Sequence, residues 1–259
     1  MTEHYLSALR QHDMTLPDRA ADIPGDWLEQ VTKQWAQLDA EARDLAVATA
    51  RRMKSRGAGQ FLLRVAVMPG ENSALPAAGA LREHPEAPDG NTILSVSQTV
   101  KDTAVRAHLY RTAGNRQGSV TVLEPIAEKD ASPEARQAAL EALAKLGHLP
   151  SLHKLFEATA KAQGVEAVLQ AHDALVYVGD KRLAKALISW LPNTDPISRL
   201  GSDRSPAMVR QCDYALWTAR LLATGVSLPV NYIDNYPPQA VTAARAVLKE
   251  LPDLPPLAQ

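Results

Sequence analysis

Cysteine is almost missing from this chain, since Cys212 is the only one in 259 residues. A single thiol excludes an intramolecular disulfide and a zinc site built on several cysteines, and Cys212 itself is expected to be a core thiol. Aromatic residues are also scarce, at 5% of the chain. Alanine supplies much of the hydrophobic content, and small apolar side chains suit packed helices better than sheet faces. This composition predicts an all-α fold.

The chain also lacks an excess of charge and any long apolar segment. Its formal net charge is −1, so no overall basic field attracts a phosphate backbone, which argues against nucleic acid as a partner. The basic run RRMKSR at 51–56 is explained by its place at a helix C-terminus, with a phosphate-binding patch as the alternative. No apolar run approaches a membrane span, and residues 1–14 contain no signal-peptide core. These absences predict a soluble cytoplasmic protein with no membrane association.

The sequence does contain an imperfect repeat of about thirty residues in which an alanine-rich segment returns. The clearest copies are at 102–114 and 132–147, with a fainter one at 41–57 and a longer one at 205–225. A fixed period in this range is typical of solenoids, whose units bury their apolar faces only against neighbouring units. Helices near 73–82 and 165–178 would supply the intervening members.

An arginine precedes the apolar stripe of each copy and sets a common register. These arginines are Arg43, Arg106, Arg136 and Arg210. Residues four and seven positions later fall on one helical stripe. They are Val47, Tyr110, Leu140 and Tyr214 at the first position, and Ala50, Ala113, Leu143 and Trp217 at the second. The shared register predicts that the four copies occupy equivalent positions.

Local signals predict where helices begin. Ser132-Pro133 and Ser205-Pro206 each place a hydroxyl at an N-cap and proline at the first helical position. The Val-Thr-Val segment at 118–130 would also suit a strand, but the helical copy after it favours a helix. The second helix of each pair is predicted at 60–68, 119–127, 149–160 and 181–191.

Three regions follow from the pattern. Residues 1–39 are predicted to form N-terminal capping helices, with Asp26 capping a helix that carries Trp27. Residues 40–251 form the repeat array, and residues 252–259 form a loose tail rich in proline.

The copies resemble HEAT repeats, in particular the short bacterial HEAT-like variety, also described as phycobilisome-lyase-like. The resemblance covers roughly residues 40–250 and is carried by DASPEARQAALEALAKLG at 130–147, the preceding GSVTVLEPIAEK, and VRQCDYALWTARLLATG at 209–225. It implies a right-handed α-α superhelix, a HEAT-like solenoid of about six helical hairpins. Members of this class mostly act as rigid curved scaffolds that bind another protein.

The resemblance and the missing chemistry favour a non-enzymatic protein-binding scaffold without a cofactor. Its sharpest version is an immunity or regulatory protein that occludes a bacterial toxin or enzyme. Two alternatives stay open, a nucleic-acid-binding HEAT-like protein and a HEAT-like protein that handles a chromophore or another small molecule. The iron-holding branch of the class uses paired His-Glu steps, and this chain has no His-Glu dipeptide. No residue is assigned a catalytic or metal-binding role.

An insertion at 193–205 lengthens the interval before the last copy. Insertions in repeat proteins map to loops on one face, so this segment is predicted to contact a partner, with a solvated connector as the alternative. Asp213 is included because its counterparts in the other copies are apolar, and a buried carboxylate needs a partner. The candidate partner-binding residues are Trp190, Asp195, Arg199, Asp203, Arg204 and Asp213.

The histidines do not form a recognisable ligand set. His148 and His153 are not spaced to share one helix face, so both are expected at the surface or at a helix cap. His108 and His172 fall on inward stripes and are expected to be hydrogen-bonded residues at the edge of the core.

Overall fold

The structure is a computed structural model that describes residues 2–200, 207–222 and 236–257. Within these residues the chain is mostly helical, as the composition predicts. None of the described helices combines the length and apolar character needed to cross a bilayer. The chain divides into two compact units, residues 1–146 and 147–259. The division falls inside the predicted array of residues 40–251.

Unit 1 begins with short helical segments that pack on its first long helix. They are α1 (Thr2–Arg10), a 3₁₀ segment (Leu16–Asp22), α2 (Trp27–Gln34) and a 3₁₀ turn (Trp35–Gln37). Both α1 and the first 3₁₀ segment contact α3 (Ala40–Arg52). Leu9, Trp27 and Val31 are completely buried there, because the apolar sides of α1 and α2 face the core. Asp26 stands at the N-cap position of α2, but its carboxylate accepts a hydrogen bond from the Thr2 hydroxyl at 2.8 Å.

The rest of unit 1 alternates between two sets of helices. We call α3, α5 (Ala74–Glu83), α7 (Thr103–Asn115) and α9 (Pro133–Lys145) the first helices. The second helices are α4 (Arg56–Ala66), α6 (Gly90–Ser97) and α8 (Val120–Lys129). Each first helix contacts the next one in the chain, and each second helix packs against the first helix that follows it. The segment with Val-Thr-Val is therefore helical, as the repeat context predicts.

Three first helices share the predicted arginine register. Their N-caps Asp39, Asp102 and Ser132 each accept a bond from the backbone N–H three residues later. The arginine four residues after each cap donates to a carbonyl of the preceding segment. These bonds are Arg43 to Trp35 at 3.2 Å, Arg106 to Val100 at 2.9 Å and Arg136 to Asp130 at 2.6 Å. The repeated arginine thus fastens each first helix to the chain that leads into it.

The predicted apolar stripe is mostly confirmed. Val47 and Tyr110 are buried, as are Ala50, Ala113 and Leu143, whereas Leu140 is only half-buried. The buried positions are where neighbouring first helices meet, so small side chains allow close approach.

Glycines let the second helices approach one another. A Cβ at Gly90, the first residue of α6, would overlap the backbone of Gly118 just before α8. The same two segments are joined by bonds from Gly90 N to Arg116 O at 3.0 Å and from Ser119 N to Asn91 Oδ1 at 2.9 Å. A Cβ at Gly59 in α4 would likewise overlap the backbone of Glu86.

Unit 2 contains helices and a small antiparallel sheet. Its helices are α10 (Leu149–Lys161), α11 (Val165–Val178), a 3₁₀ segment (Lys181–Ser189), α12 (Gln211–Leu222) and α13 (Pro238–Glu250). Strands β1 (Pro196–Leu200) and β2 (Ala207–Arg210) pair with Leu200 opposite Ala207 and Pro196 opposite Arg210. Trp190 is completely buried, and its indole N–H donates to Thr159 O at 2.8 Å.

Unit 2 differs from the sequence predictions before its last helix. The segment predicted as an insertion loop supplies β1, and Ala207–Arg210 pairs with it as β2, so a short hairpin interrupts the otherwise helical fold. The predicted helix start at Ser205-Pro206 lies outside the described residues; Ala207–Arg210, predicted as helical, form β2, and the helix starts at Gln211. Arg210 therefore precedes α12 instead of lying within its first turn, but Tyr214, four residues later, is buried as the register predicts. The predicted helix at 181–191 is present as 3₁₀.

Candidate functional site

Unit 1 has a face that carries half-buried apolar side chains. Among the half-buried hydrophobic residues that pack against its core, all but Leu146 lie on the second helices or on the connections beside them. They are Val67, Met68, Ala87, Val96, Val100, Val120, Val122, Ile126 and Ala127. We call this surface the second-helix face.

The first groove on the second-helix face lies between α4 and α6 and has a volume of about 600 Å³. Its apolar lining includes Leu63 from α4, Val67 at the end of α4 and Val96 from α6. Ala87 and Pro88, in the connection that leads into α6, complete that lining. Since Gly59 allows this connection to pack directly on α4, the base of the groove is fixed by backbone contact.

Charged residues stand on opposite walls of this groove. Arg56 and Arg64 line it on α4, and Glu86 and Asp89 line it before α6. Arg56, Arg64 and Glu86 are exposed, and no ion pair joins the two walls in the described part of unit 1. Asp89 caps α6 by accepting bonds from the Thr92 N–H at 3.0 Å and the Thr92 hydroxyl at 2.6 Å. These hydroxyl and N–H bonds lower the pKa of the Asp89 carboxyl, so it is ionised at neutral pH.

The basic run at 51–56 is divided between the end of α3 and the groove. Arg51 pairs with Glu83 at 2.5 Å, and Arg52 pairs with Asp18. Both lie in the last turn of α3, where a cation is favourable, as the sequence predicts. Arg56 instead opens α4, a position where the helix dipole does not favour a cation.

A second groove of about 640 Å³ lies beside α8. Val122, Pro125 and Ile126 form its apolar side. Its polar side includes Arg106 and Asp130, which pair at 3.0 Å with side chains 15% and 13% exposed. Asp130 is therefore committed to holding α7 against the end of α8, and this groove is more apolar than the first.

The predicted site in unit 2 contains a buried polar cluster. Asp213 is 2% exposed and accepts bonds from the Arg210 N–H at 2.9 Å and from two guanidinium nitrogens at 2.8 and 2.9 Å. It also accepts the Tyr236 N–H at 3.0 Å. Burial raises the pKa of this carboxyl, but the bonds from Arg210 and Tyr236 outweigh burial and hold the pKa below its ordinary value. The sequence predicts that a buried carboxylate at Asp213 needs a partner. The structure supplies these partners from within the protein itself.

The candidate residues of unit 2 that the structure describes differ in their exposure. Trp190 is core, as described above, and its burial, like that of Asp213, leaves no side chain free for a partner to touch. Asp195 is exposed, and Arg199 lies on β1 opposite Met208. Asp203 and Arg204 lie outside the described residues.

The histidines and the thiol have structural surroundings. His148 bonds Ser151 at 2.9 Å, and His153 bonds Pro255 O at 2.7 Å, in agreement with surface and cap positions. His172 is buried, bonds Thr218 at 2.7 Å and lies 4.8 Å from the Trp217 ring. Cys212 is buried in the core, as predicted, and burial raises the pKa of its thiol.

His108 differs from the prediction. It is half-buried, and its Nδ1 has no hydrogen-bond partner among the described residues. Burial, followed by the nearby cations Arg82 and Arg111, lowers the pKa of its imidazole. In the described residues no three His, Cys, Asp or Glu side chains are grouped so that they could hold a metal ion.

Among the residues of the first groove, only Arg56 was singled out from the sequence, as part of the basic run at 51–56. A usable signal was present, because α4 contains two arginines and no acidic residue, and Arg56, Gln60 and Arg64 recur every four positions. No family model, curated protein or solved structure matches this chain.

Proposed function

We propose that this protein is a non-enzymatic scaffold that binds another protein through the second-helix face of unit 1. The observation that carries the proposal is the concentration of half-buried apolar side chains on that face, where two grooves of about 600 and 640 Å³ also lie. Rigid apolar grooves bordered by polar groups are typical of protein-binding surfaces.

The alternation of first and second helices supports a HEAT-like right-handed solenoid as the architecture. Such a repeat is expected to show the same features in each copy, and three first helices share the same capping bond, an arginine at the same position and buried apolar positions. In a solenoid, the second helices would line one continuous surface, which suits the binding of another protein.

A regulatory mechanism would follow from rigidity. The second helices are fixed by glycine contacts and by bonds between their connections, so the surface loses little conformational freedom when a partner docks. In its sharpest form, the protein is an immunity or regulatory protein that occludes a toxin or enzyme. Steric cover of the partner's active surface would then suffice, without catalysis or a cofactor.

Site-directed photo-crosslinking in the native host tests the proposal. A photoreactive residue is placed at Gln60 or Gln98, which are exposed and line the two grooves, or at exposed Ala48 on α3 as the matched control. We expect one discrete protein to be captured in stoichiometric yield from Gln60 and Gln98, and little from Ala48. Equal capture from Ala48, or no protein adduct from either groove position, would contradict the proposal.

A further inference from the structure

The walls of the α4/α6 groove restrict what can occupy it. Helices α4 and α6 satisfy their backbone hydrogen bonds internally, so neither offers a free edge to an extended strand. A strand lying in the groove would press some of its N–H and C=O groups against helices that offer them no backbone partner, which costs free energy. A helix has no such cost, because its backbone bonds are internal.

The lining also has helical spacing. Leu63 and Val67, the residue that ends α4, are one turn apart, as Thr92 and Val96 are on α6, so two ridges border the groove. The apolar stripe of a third helix packs into such a groove by fitting its own side chains between the two ridges.

The charged residues on the two walls determine which charges the edges of that helix should have. Arg56 and Arg64 on the α4 wall would attract acidic side chains, whereas Glu86 and Asp89 on the other wall would attract basic ones. A helix with acidic residues on both edges would meet attraction at one wall and repulsion at the other, and a uniformly basic helix would meet the reverse.

We infer that the α4/α6 groove binds an amphipathic helix of the partner whose apolar stripe has an acidic edge and a basic edge. This inference rests on the proposed function and names the occupant of its surface. Exchanging the two edges is equivalent to reversing the helix, so the walls also fix the direction in which the helix lies.

Three synthetic peptides test the inference with the full-length protein. Each has about 18 residues, enough to form a helix when bound, and the same Leu-Ala stripe. One has a Glu edge and a Lys edge, one has Glu on both edges, and one has Lys on both. Fluorescence anisotropy should give a dissociation constant about three- to tenfold lower for the mixed peptide than for either uniform peptide, the range expected for a few exposed ion pairs.

Charge-reversal variants are expected to gain affinity for one of the uniform peptides, and misfolding cannot produce such a gain. The double variant Arg56→Glu with Arg64→Glu makes both walls acidic, so the all-Lys peptide should become the tightest binder. Glu86→Lys should tighten binding of the all-Glu peptide. Lys54→Glu is the matched control, because Lys54 is exposed and does not line the groove; it should leave the order of the three affinities unchanged.

The two proposals can fail separately. The inference of a helix with one acidic and one basic edge is wrong if the all-Glu or all-Lys peptide binds the unaltered protein as tightly as the mixed one. It is also wrong if the charge reversals do not change the order of the three affinities. Protein capture from Gln60 and Gln98 would still support the second-helix face. Selective binding of the mixed peptide without capture in the host would support the groove and contradict the proposed partner.

Discussion

At the scale of single residues, Asp213 joins the start of α12 to the segment that leads into α13. Its carboxylate binds the Arg210 guanidinium and two backbone N–H groups, and Arg210 in turn donates to Tyr236 O at 3.0 Å. The substitution Asp213→Ala removes the carboxylate, so the partly buried Arg210 guanidinium and the two N–H groups lose their hydrogen-bond acceptor. We expect the free energy of unfolding of unit 2 to fall by about 2–4 kcal/mol, measured by urea denaturation with hydrogen exchange as a readout for each unit.

Asp195→Ala is the matched control for this variant. Asp195 is exposed, and its side chain makes no hydrogen bond or ion pair within the described residues. Its replacement should change stability by no more than about 0.5 kcal/mol. Equal effects of the two variants would mean that the Asp213 cluster adds little to the stability of unit 2.

His172 makes a second prediction at this scale. The Thr218 hydroxyl donates to Tyr214 O at 2.7 Å, so its oxygen must accept from His172 Nδ1, which assigns the proton of the neutral ring to Nδ1. Burial lowers the pKa of His172, partly offset by Asp173. The unfolded chain then takes up a proton first as pH falls below about 6.5, and the folded state loses stability over that range.

The check is an NMR titration of His172 together with urea unfolding at several pH values. A titration midpoint for His172 below that of a histidine in the unfolded chain is the expected result. His172→Phe keeps an aromatic ring beside Trp217 and should weaken the loss of stability below about pH 6.5. A midpoint at or above the unfolded value would show that the charged ring is tolerated there.

At the scale of helices, substitution by alanine is expected to have opposite effects on stability at Gly90 and at Gly79. A Cβ at Gly90 would overlap the Gly118 backbone, so Gly90→Ala must push α6 away from the start of α8 and should cost about 1–3 kcal/mol. Gly79 lies inside α5, and a Cβ added there would meet nothing within 4 Å, so Gly79→Ala should stabilise by about 0.4–1 kcal/mol. Thermal unfolding of both variants tests the pair, and a stable Gly90→Ala protein would show that the contact is adjustable.

The same scale shows what the sequence could and could not predict. Helices α7 and α9 follow from local signals, since Asp102 and Ser132 cap them and the apolar stripe has helical spacing. Strands β1 and β2 did not follow, because strand pairing depends on contacts between separate segments and the Arg210 register favoured a helix. The burial of Glu141, which pairs with Arg111 of α7 at 2.6 Å, also could not be read from α9 alone.

The groove was hidden for a related reason. Arg56 and Arg64 belong to one helix, but Glu86 and Asp89 belong to a connection about thirty residues further on. The packing of Gly59 against the Glu86 backbone helps to bring the two walls together. The sequence predicted which segments are helical, whereas the site depends on how those helices approach one another.

At the scale of the whole molecule, unit 1 has its own core and contains every residue that lines the α4/α6 groove. One cluster of buried hydrophobic residues extends from Tyr5 to Leu143 within it. A fragment of residues 1–146 should therefore unfold cooperatively in urea and bind the mixed-edge peptide within about twofold of the affinity of the full chain. Circular dichroism and fluorescence anisotropy measure the two properties. A helical, cooperative fragment that no longer bound the peptide would place part of the binding surface in unit 2, and a fragment without cooperative unfolding would show that unit 1 needs the rest of the chain to fold.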